Sequence, residues 1–169
     1  FNHRYCIDKL TEIPEYNLRK WYWDMEWLPE GHEHEEAITC IAVYDNYSDK
    51  IKLYWWSDLH EKPNAILRRF DSEKEMLQAF VKEEQDPDML IAWWGLQSDV
   101  PKLITRMHEN GLNPRQLSPY NEVKNVGHKI IGDIDYSLID QPIKGRICLN
   151  LDHAFERQWM DSQRGTLPS

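Results

Sequence analysis

The sequence predicts an α/β domain: a mixed sheet, an antiparallel meander joined to a central parallel strand and flanked by helices. Three observations carry this. Residues 20–56 hold three β-favouring runs separated by turn residues, 72–85 has helical spacing, and a short unbroken apolar run at 89–94 precedes a second helical segment. At 169 residues the chain suffices for one core and is short for two.

Residues 1–19 show no sustained period and read as a lead-in segment; the domain is assigned to 20–169. Lys20 to Leu28 (KWYWDMEWL) is dense in β-favouring aromatics and stops at Pro29 and Gly31, as a buried strand before a turn should. AITCIAVYD (37–45) is a second strand, with branched Ile38, Thr39, Ile41 and Val43. After the turn DNYSD (45–49), KIKLYWW (50–56) alternates Lys50 and Lys52 with Ile51 and Leu53, which suits a third strand antiparallel to the second.

Asp71 or Ser72 caps the first helix, which has Glu73 and Glu75 in its first turn and Met76, Leu77, Phe80 and Val81 on one face. Asp86-Pro87-Asp88 ends it. MLIAWW (89–94) is expected to be a strand buried on both faces. Ser98 or Asp99 caps the next helix, Pro101 is tolerated in its first turn, and Asn110-Gly111 stops it. Residues 112–144, with scattered Pro, Gly and Asn, read as a long insertion over the surface. GRICLNLDHAF (145–155) resumes a strand-like pattern.

The chain is 41% apolar and has eight Trp, so burial can offset the entropy of ordering. A net charge of −9 argues against a general nucleic-acid binder that works by counterion release along a basic face. It does not exclude a metal-dependent nuclease, whose ions offset charge locally. Cys6, Cys40 and Cys148 form no C-x-x-C pair, so neither a disulfide framework nor a zinc site is indicated. With no span-length apolar run and no apolar h-region at the start, the expectation is an intracellular chain, cytoplasmic or nucleoid-associated, with no membrane partner. The start at Phe1 reads as that of a fragment.

Residues two apart on a strand share a face, so Asp24 and Glu26 project together and Met25 opposite. In a largely buried strand two unpaired carboxylates cost several kcal/mol. Either an Arg or Lys or a hard divalent cation such as Mg²⁺ or Mn²⁺ balances them, or the pair faces solvent on an edge strand. Asp99 follows the 89–94 strand across a short loop, where open α/β sheets hold ligands; its alternative role is a helix cap. His32, His34 and Glu36 could bind a transition metal or form a solvated turn. Trp55-Trp56 and Trp93-Trp94 could stack bases, although adjacent strand residues face opposite ways, so at least one ring of each pair is expected in the core.

WYWDMEW (21–27), PDMLIAWWGLQSDVPKLITR (87–106) and GRICLNL (145–151) occur in an order that resembles the 3′–5′ exonuclease domain of family B DNA polymerases, a ribonuclease H-like fold of the DEDD exonuclease type. The first segment matches that family's Asp-x-Glu motif and the second its next motif and flanks. The third resembles a later Gly-Arg strand. The resemblance implies a proofreading-type nuclease that uses two Mg²⁺ or Mn²⁺ ions, with Asp24 bridging both, Glu26 on the ion carrying the attacking water, and Asp99 on the second. It implies a single-stranded DNA 3′ end and the remainder of a DNA polymerase chain as partners, from a replicative, viral or mobile-element source.

Three departures stand out. Trp94 or Gly95 stands where the family has an Asn, and Ser98 where it has an aromatic before the Asp. The family's third motif, Tyr-x-x-x-Asp, has no match after the Gly-Arg strand. The chain is therefore expected to stop just before that motif and to cleave weakly or not at all alone. Tyr120 with Asp135 or Asp140 lacks the spacing; Tyr136 with Asp140 has it but precedes the Gly-Arg strand. The alternative functions are a catalytically degenerate structural or single-strand-binding polymerase domain, and a ribonuclease H-like nuclease of another branch.

Overall fold

Trp21, Trp23 and Met25 alternate with Tyr22, Asp24 and Glu26 along β1 (Lys20–Trp27), and only the first three are buried. That period of two places β1 with one face on the core and the other open. The computed structural model describes residues 17–57, 64–83, 87–124, 130–131, 134–135, 141–155 and 158.

β2 (Ile38–Asp45) pairs antiparallel with β1, and β3 (Lys50–Trp55) antiparallel with β2, as expected. The register sets Trp23 beside Val43 and Met25 beside Ile41, so one apolar face runs across both strands. A four-residue strand not anticipated from the sequence, β4 (Ile66–Arg69), adds parallel to β3. Its Arg68 and Arg69 suit an outer edge, where charge discourages further pairing. β5 (Met89–Ala92) and β8 (Ile147–Asn150) extend the other side in parallel, giving a six-stranded sheet in the order β4-β3-β2-β1-β5-β8. β6 (Ile130–Ile131) and β7 (Ile134–Asp135) form a separate antiparallel pair. The fold is thus α/β with a mixed sheet, consistent with a ribonuclease H-like arrangement.

Two helices cover the Trp21–Trp23–Met25 face. In α1 (Glu73–Glu83) the Ser72 hydroxyl accepts from the Glu75 N–H, while the Glu75 side chain accepts from the Asp71 N–H, close to a capping box. Phe80 of α1 stacks on Trp23 at 5.8 Å and also contacts Trp21 and Tyr54, which makes it the centre of the aromatic core. In α2 (Asp99–Glu109), Val100, Leu103, Ile104 and Met107 join the same core. Gly111, at φ +69°, ends the helix as its sequence position predicts. The two helices are tied by a buried ion pair: Glu73 accepts from Arg106 Nε at 2.8 Å and Nη2 at 2.5 Å, and from the Ile38 N–H at 2.8 Å.

Several expectations need correction. β1 is half-buried rather than largely buried. On β3 the polarity is reversed: Lys52 and Tyr54 lie on the helix side, where Lys52 sits over Trp21 and pairs with Glu83 of α1, while Ile51 is exposed on the open face. A long lysine stem can cross apolar surface and keep its charge near a carboxylate, which alternation alone cannot foresee. β5 stops at Ala92, and Trp93 and Trp94 both leave the strand exposed. The 145–155 strand ends at Asn150, and residues 151–155 are helical. Nor is 112–144 merely a surface insertion: a 3-10 helix over Pro114–Leu117 buries Leu117, and Ile143, bridged to Val123, is fully buried.

Candidate active site

The β1–β5 ladder runs only from Lys20↔Met89 to Tyr22↔Ile91, so beyond Tyr22 that side of β1 is open. Asp24 and Glu26 occupy this stretch, exposed on the sheet face opposite the helices. The strand is an interior one, between β2 and β5, so neither a buried pair nor an exposed edge pair describes them.

Asp99 enters from the loop after β5. Ser98 takes the N-cap position of α2 without a side-chain capping bond, and Asp99 is the first helical residue, 5% exposed. Its carboxylate lies near the backbone N–H of Met25, the residue between Asp24 and Glu26, and near its own N–H. Burial and the nearby Asp24 carboxylate, with a smaller contribution from Glu26, push its pKa up to about 6; the two N–H groups act in the opposite direction. The three candidate residues therefore interact electrostatically.

The loop is held from below. Gly95 packs so closely that an added Cβ would come 2.8 Å from the Ala92 Cβ, which explains a residue without a side chain here. Asn150, buried at the end of β8, accepts from the Leu96 N–H at 2.9 Å and donates to the Gln97 side chain. This brace was not assigned from sequence. A polar Asn ending an apolar strand was its only signal.

Hard carboxylate oxygens suit Mg²⁺ or Mn²⁺, and the groups acting on Asp99 are carboxylates and amides rather than a cation, so the donor chemistry fits a divalent ion. The grouping is open, however: among the described residues no three His, Cys, Asp or Glu side chains come together as a ready-made metal site. Asp24 and Glu26 are exposed, and exposed side chains can change rotamer.

The other candidates separate. His32 and His34 lie in an exposed turn, with His34 edge-on to Trp56, and Glu36 pairs with Lys102 of α2; the solvated-turn reading holds. Trp56 packs partly on the core and donates to the Ile38 carbonyl at 2.5 Å. Trp93 and Trp94 are 57% and 59% exposed, against the expectation that one ring would be in the core. Tyr120 is exposed, beside Gly145. Tyr136 and Asp140 lie outside the described residues, as does the side chain of Asp135. Among the described residues no helix is long and apolar enough to cross a membrane.

No family model matches the chain. It is 29% identical over 163 residues, 93% of its length, to a DNA polymerase of Pyrococcus glycovorans. The chain spans about a fifth of that relative (20%), so the likeness concerns one segment of a much longer protein. On this evidence the chain is related to part of a DNA polymerase.

Proposed function

We propose that the chain is the 3′–5′ exonuclease domain of a family B DNA polymerase, with Asp24, Glu26 and Asp99 as its carboxylates. The observation that carries this reading is buried Asp99 beside the Met25 amide, between Asp24 and Glu26, with its pKa raised by burial first, then by Asp24 and less by Glu26. The likeness to a DNA polymerase over nearly the whole chain supports it.

Asp24, Glu26 and Asp99 would hold Mg²⁺ or Mn²⁺. When bound, such ions activate water and stabilise the charge that develops in phosphodiester hydrolysis. The chain's own part is positional. β1 presents Asp24 and Glu26 on one face, α2 delivers Asp99 beside them, and the Gly95 turn and the Asn150 brace fix the loop. Asp99 is partly protonated near pH 6 and becomes a full anion above it.

The test is cleavage of a single strand labelled at either end, with the chain in excess and Mn²⁺ present. Slow release of mononucleotides from the 3′ end, lost in Asp24→Ala and Asp99→Ala, is the expected result. Release from the 5′ end, internal cutting or no release contradicts it. The open grouping of the carboxylates and Trp94 in the Asn region favour a second reading, a binding domain without catalysis, which the same experiment separates.

A further inference from the structure

The exposed Trp93 ring is the feature the proposed function leaves unused. Of the two exposed indoles on the loop between β5 and α2, Trp93 alone lines the groove of about 270 Å³ on the open sheet face, and Asp24 is in the same wall. Tyr22, Tyr44, Ile51 and Ile91 are among its other lining residues, and Tyr22 and Tyr44 pair at 5.9 Å. Trp93 also meets Phe155, outside the groove, at 6.2 Å with a 47° tilt. Among the described residues no Lys or Arg lines the groove.

A cation-free groove with flat aromatic walls and a carboxylate at one end does not suit a phosphate, which needs Lys, Arg or amides. It suits the face of an uncharged ring. Resting on the exonuclease reading, we propose that Trp93 is a substrate-positioning residue, whose indole stacks on an unpaired nucleobase of a single-stranded polynucleotide beside Asp24. Stacking on a π-face tolerates any base, so the grip is independent of sequence. A base inside a duplex is already stacked on both sides and cannot enter. Trp94, equally exposed but outside the groove, contributes nothing to this grip.

The test is fluorescence anisotropy of a 5′-labelled oligothymidylate with the 169-residue chain in EDTA, where cleavage is absent and metal plays no part. Trp93→Ala should weaken binding by about five- to a hundredfold, Trp93→Phe should restore most of it, and Trp94→Ala should leave it unchanged. Asp24→Asn should bind at least as well as the parent, which separates this grip from the metal reading. A closed hairpin duplex should compete poorly. The proposal is overturned if Trp93→Ala binds like the parent, if Trp94→Ala weakens binding equally, if the hairpin competes as well as the single strand, or if the parent binds no single strand. Loss of cleavage or of metal binding alone would count against the exonuclease reading and leave this result standing.

Discussion

Asp99, the first residue of α2, lies beside the backbone N–H of Met25 on β1, between Asp24 and Glu26. A carboxylate whose pKa is raised in the folded state binds its proton more tightly there than in the unfolded chain. Its stabilising contribution is complete below the ordinary value of 3.8 and is lost as pH rises through about 6. In metal-free buffer at pH 8, Asp99→Asn, which keeps the shape of the side chain without its charge, should therefore be more stable than the parent by about 1–3 kcal/mol. Urea unfolding checks this, and the gain should fall by about half at pH 5.

Glu73 and Arg106 form the strongest tie between the helices. Removing Glu73 leaves the Ile38 N–H without its acceptor and the largely buried Arg106 guanidinium with Glu109 as its remaining carboxylate. Glu73→Ala should lower stability by about 3–5 kcal/mol. Denaturant midpoints at constant slope measure it.

Phe80 touches Trp21, Trp23 and Tyr54. Phe80→Ala should cost about 3–5 kcal/mol by opening a cavity among rings that cannot collapse together. Calorimetry and near-ultraviolet circular dichroism should show the loss and the loosened aromatic packing.

Gly95 sets the loop that delivers Asp99. Gly95→Ala drives a Cβ against Ala92 and should destabilise by about 1–3 kcal/mol. If the loop positions Asp99, the same variant should also weaken any response to Mn²⁺, read by thermal shift.

The sheet was legible where the side-chain pattern was driven by burial. Trp21, Trp23 and Met25 on one face and Asp24 and Glu26 on the other gave β1 its register, and Asn110-Gly111 gave α2 its end. What the pattern misread were positions decided by long-range partners. Lys52 faces the helices because Glu83 meets it there, and Ile51 is left outside. β4 is four residues with two Arg, too short and too polar to register alone. Glu73 reads as a first-turn acid in sequence, and only the fold brings Arg106 and Ile38 to it. At the site, the positions of Asp24, Glu26 and Asp99 followed from strand period and loop length, whereas the Asn150 brace and the exposure of Trp93 depended on where β5 and β8 stop.

In the proposed function Asp24, Glu26 and Asp99 jointly bind a divalent cation. The most direct measurement is the thermal midpoint of the chain at pH 8, titrated with Mg²⁺ and Mn²⁺ into the millimolar range, alongside Asp24→Asn and Asp99→Asn. The parent should rise by roughly 2–5 °C and neither variant should respond. An unchanged parent midpoint, or variants that rise as the parent does, would contradict it.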